Sequence, residues 1–203
     1  MLKIWGRLNS HNVKKVVWFA EELGLAYERI DVGGAFGMDD AYLAKNPNAL
    51  IPTIEDGPLV LWESNTILRY LAAQYGGERW WPADPAQRAI GERWMDWQAD
   101  YAHAQMRAFI GYVRTPPERR DQAGIDNSVA ASAKMLAVLE RYLGEMPWLS
   151  GDAFGLGDIP MGVYAWTWFS LPIERPDYPC IADWFARLRD RPGYADQVAI
   201  PLS

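Results

Sequence analysis

Leu2 to Trp5 is a short apolar run followed by a polar stretch, Gly6 to Ser10, which predicts a strand ending in a loop. Val13, Val16, Val17, Ala20 and Leu23 then recur at the spacing of one helical face, with Gly24 as the stop. Ala26 to Val32 returns to strand character, and Gly33, Gly34 and Gly37 mark a loop before a short helix around Met38–Lys45. Ile51 to Glu55 and Leu59 to Trp62 read as two strands joined by Asp56-Gly57, a strong hairpin signal. Glu63-Ser64-Asn65 opens a further helix that runs to about Tyr75 and stops at Gly76-Gly77. The first half therefore reads β-α-β-α-β-β-α. A parallel pair joined by a crossover helix, followed by a hairpin, makes the sheet mixed.

Beyond residue 77 the pattern changes. Gly76 to Pro85 holds glycines, prolines and polar residues, as a boundary does. Ile90, Trp94, Trp97, Tyr101, Ala104 and Ala108 then follow a three-to-four spacing that predicts a long helix to about Val113, interrupted by Pro116-Pro117. Val129, Ala133, Leu136, Leu139 and Leu143 mark another helix, and Asp158–Ser170 and Cys180–Arg189 two more. No strand signal follows residue 86. The expected organisation is an α/β domain over 1–77, a linker over 78–85 and an all-α helical bundle of four or more helices over 86–203.

Composition narrows the chemistry. Half the 203 residues are hydrophobic and the formal charge is −6, which suits a soluble globular protein and argues against a nucleic-acid partner. The eleven tryptophans are expected mainly in cores and interfaces. One cysteine, Cys180, excludes an internal disulfide and a multi-thiolate metal site, and two distant histidines, His11 and His103, give no metal pair. Nothing approaches the roughly 18 apolar residues of a membrane span. The opening MLKIWGRLNS lacks a signal peptide's apolar run, so the expected compartment is the cytoplasm.

Two motifs remain. One is Asn46-Pro47-Asn48-Ala49-Leu50-Ile51-Pro52-Thr53-Ile54-Glu55-Asp56-Gly57, and the other Glu63-Ser64-Asn65-Thr66-Ile67-Leu68-Arg69-Tyr70-Leu71. Together, and in their spacing, they resemble the paired signature of the cytosolic glutathione transferases, and the similarity runs through essentially the whole chain. The resemblance implies a thioredoxin-like N-terminal domain that binds glutathione as co-substrate, with no metal, and a helical domain that forms the electrophile site. It implies a cis Ile51–Pro52 bond that leaves the Ile51 backbone free to pair with the cysteinyl part of glutathione. Glu63 is expected to meet the γ-glutamyl ammonium. Ser64, at a helix start where free amides and the dipole suit an anion, is expected to meet the carboxylate. Serine there also serves as an ordinary helix cap.

Glutathione reacts as its thiolate, whereas a free thiol with pKa of about 8.5 is mostly protonated near neutrality. Ser10 stands where theta- and delta-like relatives carry a catalytic serine. Asn12 replaces the proline usual two residues later, and some bacterial and fungal relatives use an asparagine hereabouts on the sulfur. Both residues are candidates for the thiolate, and both also make ordinary N-caps. Leu50 stands where many relatives carry a long polar residue for the glycyl carboxylate, leaving His11 or Lys45 for that contact. Gly155-Leu156-Gly157-Asp158-Ile159 lacks the hydroxyl residue of a capping box, and Asp158 is expected to be structural. The electrophile pocket is expected between the two halves, with Tyr101, Gln105, Met106, Phe109 and Trp166 as candidate lining. The leading expectation is a homodimeric transferase that conjugates the glutathione thiolate to small hydrophobic electrophiles. Other glutathione-dependent chemistry (isomerase, dehalogenase, ether cleavage, peroxidase) and a non-catalytic glutathione-binding regulator are the alternatives.

Overall fold

The computed structural model describes residues 1–203 as two compact units. The first comprises Met1–Asp84 together with Arg191–Ile200, and the second Pro85–Asp190 with Pro201–Ser203. The division falls between Asp84 and Pro85. Residues 191–200, which the sequence pattern grouped with the helical half, belong instead to the sheet unit.

In the first unit β1 (Leu2–Trp5), β2 (Tyr27–Ile30), β3 (Thr53–Asp56) and β4 (Leu59–Trp62) form one sheet in the order β2-β1-β3-β4. β1 runs parallel to β2 and antiparallel to β3, and β3–β4 is a hairpin closed at Asp56-Gly57, with Gly57 at φ 59°. The mixed sheet matches the periodicity. Two helices, α1 (His11–Glu22) and α3 (Ser64–Tyr75), pack against each other in this unit. α2 is only one turn, Asp40–Leu43. It is shorter than the expected Met38–Lys45 because Asp39 accepts the Tyr42 amide at 2.8 Å and so fixes a later start. A second single turn, α4, covers Gly77–Trp80.

Residues Val13 through Ala20 of α1 are all buried, lysines included. The returning segment explains why. Its turn, Tyr194–Val198, lies on α1: Tyr194 meets Trp18 edge-to-face at 4.9 Å, and the Lys14 ammonium donates to the Val198 carbonyl at 3.0 Å. Arg191 grips the nearly inaccessible Glu22 carboxylate through both Nε and Nη2. Gly193, at φ 70°, permits the close approach, since a Cβ there would lie 2.7 Å from the Glu21 Cβ.

The second unit contains α5 (Pro85–Phe109), α6 (Gln122–Leu143), α7 (Asp158–Ser170) and α8 (Pro179–Arg189). α5 packs on α6 and α7, and α8 on α6 and α7. α5 loses α geometry at Ile110 and continues to Arg114 as a wider π turn. There the Arg120 side chain donates to the carbonyls of Gly111 (2.9 Å), Tyr112 (3.3 Å) and Thr115 (3.2 Å), taking up acceptors that the helix leaves free. α6 starts seven residues before its apolar pattern because Asp121 caps the Gly124 amide at 3.0 Å. No helix is long and apolar enough to cross a membrane.

Candidate active site

The site is built on the loop from Asn46 to Thr53. Asn46 is buried, and its amide group donates to the Leu50 carbonyl at 2.9 Å and to Thr53 Oγ1 at 3.2 Å. Its Oδ1 accepts from the backbone and side chain of Asn48 at 3.1 and 3.2 Å. The Tyr42 hydroxyl joins the Leu50 carbonyl and Thr53 Oγ1 from below. Burial in this network pushes the Tyr42 phenol above its ordinary range, so it stays a neutral donor. Together these bonds hold the loop that carries the cis Ile51–Pro52 bond, in which Pro52 is buried and Ile51 half-buried.

The second wall is the turn from β4 into α3. Glu63 sits there at φ 73°, ψ 106°, a backbone geometry that costs a residue with a side chain about 1–3 kcal/mol and that clusters at functional sites. Its side chain is exposed and makes no cap bond to α3, so the first-turn amides are not satisfied by their own N-cap residue. Ser64, the first helical residue, is only 7% exposed, and its hydroxyl reaches Asn12 Oδ1 at 3.3 Å. A small cleft of about 70 Å³ lies between these walls. Asn12, Ile51, Pro52, Glu63 and Ser64 line it, together with Asn46, Asn48, Leu50 and Trp62.

The structure therefore brings five of the sequence candidates together and separates the rest. Ser10 is the N-cap residue of α1, half-buried, and its hydroxyl makes no cap bond and does not line the cleft. His11 opens the same helix and is half-buried. Lys45 is held elsewhere: its ammonium pairs with Glu55 at 3.1 Å and lies 5.5 Å from the centre of the Trp5 ring. Leu50 is 61% exposed, and its side chain has no polar atom for a carboxylate. In the helical unit Tyr101, Gln105 and Phe109 are interior residues, and Gln105 donates to the Tyr101 hydroxyl at 3.0 Å and the Tyr164 carbonyl at 3.3 Å. Burial drives the Tyr101 phenol far above its ordinary range. Met106 is exposed, and Trp166 is half-buried against Phe185. Sequence reasoning missed Asn46, Asn48 and Trp62 as lining. The two asparagines flank Pro47 within the first motif and could have been found there.

The cleft presents the cis Ile51–Pro52 loop on one wall, and the Glu63 carboxylate and Ser64 hydroxyl at the start of α3 on the other. Comparison with known proteins gives the family. Residues 6–79 match the family model described as Glutathione S-transferase, N-terminal domain, and residues 101–192 that described as Glutathione S-transferase, C-terminal domain. The chain is 45% identical over 208 aligned positions to glutathione S-transferase GstB of Escherichia coli (strain K12), with all of both chains covered. It is 32% identical to glutathione S-transferase 3 of Zea mays, covering 99% of this chain and 95% of that one. Among solved structures it is similar, at TM-score 0.96 and 50% identity, to the theta class glutathione S-transferase from Xanthomonas axonopodis pv. citri with glutathione bound, covering 100% and 99% of the two chains. The chain belongs to the glutathione S-transferase family. Its sequence-level fold class and its reading as a transferase enzyme stand.

Proposed function

We propose that the cleft binds reduced glutathione and activates its thiol for attack on small hydrophobic electrophiles. The observation that carries this reading is the convergence of Asn12, the Ile51–Pro52 loop, Glu63 and Ser64 on one cleft, although they come from three separate chain segments. The Ile51 backbone pairs with the cysteinyl residue as a neighbouring strand would. Glu63 takes the γ-glutamyl ammonium, and the N-terminal turn of α3, which begins at Ser64, takes the carboxylate beside it. Lys45, whose charge is committed to Glu55, is not assigned to the glycyl carboxylate.

For the thiolate we favour Asn12 over Ser10. Asn12 lines the cleft, and its Oδ1 already accepts from Ser64, so its amide NH₂ remains as the donor group. A donor aimed at the sulfur stabilises the anion and lowers the thiol pKa. The thiolate then attacks the electrophilic carbon, a C–S bond forms, and the leaving group departs with its electron pair. The protein acts as a homodimer in the cytoplasm in this reading, and sedimentation of the purified chain checks the assembly state. The catalytic assignment is tested by conjugation to a chlorodinitrobenzene, with the thiolate of bound glutathione titrated by its ultraviolet absorbance. Asn12→Ala is expected to raise the thiol pKa and lower kcat, while Ser10→Ala has the smaller effect. The reverse order would move the assignment to Ser10.

A further inference from the structure

Lys15 occupies a helix position where a charge is unfavourable to the fold. It is 2% exposed, in the middle of the fully buried face of α1. A lysine in that state gives up its hydration, and an aliphatic side chain would fill the position without the loss. Its ammonium is not turned outward. Nζ lies 3.4 Å from Ser64 Oγ and 3.3 Å from Asn65 Oδ1, at the first turn of α3. Its neighbour Lys14 points away, to the Val198 carbonyl.

These contacts form a chain. Lys15 donates to a lone pair of Ser64 Oγ, and Ser64 directs its hydroxyl proton to Asn12 Oδ1 at 3.3 Å. Ser64 and Asn12 both line the cleft; Lys15 does not. The lysine thus acts from behind the wall. Donation into the Ser64 oxygen polarises the hydroxyl and makes it a stronger donor to Asn12 Oδ1, which fixes the Asn12 amide at the cleft wall. The positive charge, in a region of low dielectric, also favours a carboxylate at Ser64 and a thiolate at Asn12. We propose that Lys15 is a positioning residue of the glutathione site, a buried cation that orients the Ser64 hydroxyl and the Asn12 amide and favours the anionic groups of the ligand. The proposal rests on the reading of the cleft as the glutathione site. Desolvation pushes the Lys15 ammonium down to about 7, and the nearby Glu63 carboxylate draws it back up. A ligand anion on Ser64 acts in the same sense as Glu63 and holds the lysine charged.

The test uses two variants. Lys15→Met removes both the charge and the donor; Lys15→Gln keeps a donor for Ser64 without the charge. Each is compared with the wild-type chain for glutathione affinity by calorimetry, for the thiol titration of bound glutathione, and for KM toward the chlorodinitrobenzene. Both variants are expected to bind glutathione about tenfold more weakly and to raise the bound thiol's midpoint by about one pH unit, with KM for the electrophile unchanged. Wild-type affinity and titration in Lys15→Gln would overturn the proposal, and that variant decides the question even if Lys15→Met does not fold. Failure of the underlying reading looks different: the wild-type chain would then not bind glutathione, or Ser64→Ala would bind it unchanged.

Discussion

The missing cap hydroxyl before α7 provides a quantitative test of how this fold is held. Asp158 is fully buried and accepts four N–H groups: Leu149 at 2.8 Å, Ser150 at 3.3 Å, Gly155 at 3.0 Å and the Trp184 indole at 2.9 Å. Gly155 N–H to Asp158 is the half of a capping box that survives without a hydroxyl residue. The Asp158 amide donates to the Gly155 carbonyl at 3.1 Å, and a hydroxyl five residues upstream serves the neighbouring amide. The Gly157 amide donates to Ser150 Oγ at 3.0 Å, so Ser150 supplies the oxygen that residue 155 lacks. The exchange is sterically enforced, because a Cβ at Gly155 would lie 2.7 Å from both Cβ and Oγ of Ser150. Gly155 does not have a positive φ, so space and not backbone geometry excludes a side chain there. Ser150→Ala leaves a buried amide without its acceptor and should cost about 1–2 kcal/mol in urea unfolding. Gly155→Ser alone should cost a similar amount, about 1–3 kcal/mol, through overpacking. The double variant Ser150→Gly, Gly155→Ser removes the clash and returns the hydroxyl to its local position. It should be more stable than Gly155→Ser alone, less about 0.5–1 kcal/mol for the added glycine. A double variant as unstable as Ser150→Gly and Gly155→Ser added together would refute the reasoning, since independent sites add and coupled ones do not.

Other contacts make comparable predictions. Glu140 accepts the amides of Cys180 (3.0 Å) and Ile181 (2.9 Å) at the start of α8, so Glu140→Ala should lower stability by about 1–2 kcal/mol by the same unfolding assay. Arg191→Ala strands the buried Glu22 carboxylate and should cost about 3–5 kcal/mol, with the loss detected by hydrogen exchange in α1. Desolvation lowers the Lys14 ammonium to about 8, so between that value and the ordinary lysine range of about 10.4 the folded chain binds fewer protons than the unfolded one. Lys14 therefore contributes stability that grows as pH rises through that window. Lys14→Met should flatten the rise, and an unchanged slope would place the Lys14 charge in water.

Much of the first unit was legible because its elements are bounded by local chemistry. Asp56-Gly57 sets the hairpin, and the apolar spacing from Val13 to Ala20 sets α1. The paired motifs also contained the two walls of the cleft. Two kinds of feature were not legible. Helix ends depend on side chains that the apolar pattern ignores, such as Asp39, Asp121 and Arg120, and so α2 is short, α6 begins early and α5 ends in a π turn. Contacts between distant segments leave no periodic trace. Lys14 and Lys15 lie outside the apolar spacing of α1, and they are buried against residues 191–200 and the start of α3 respectively. Lys45 was a reasonable anion contact until its pairing with Glu55 showed where its charge is used. Tyr101 and Gln105 satisfy each other inside the helical unit, and their spacing on α5 cannot distinguish a pocket face from a core face.

The most direct measurement of the central claim is a calorimetric titration of the purified chain with reduced glutathione, repeated on Glu63→Ala and Ser64→Ala. Saturable binding at one site per chain, weakened by about 1–3 kcal/mol in each variant, is the expected result. No binding by the wild-type chain at millimolar glutathione, or unchanged affinity in both variants, would contradict the placement of the ligand in this cleft.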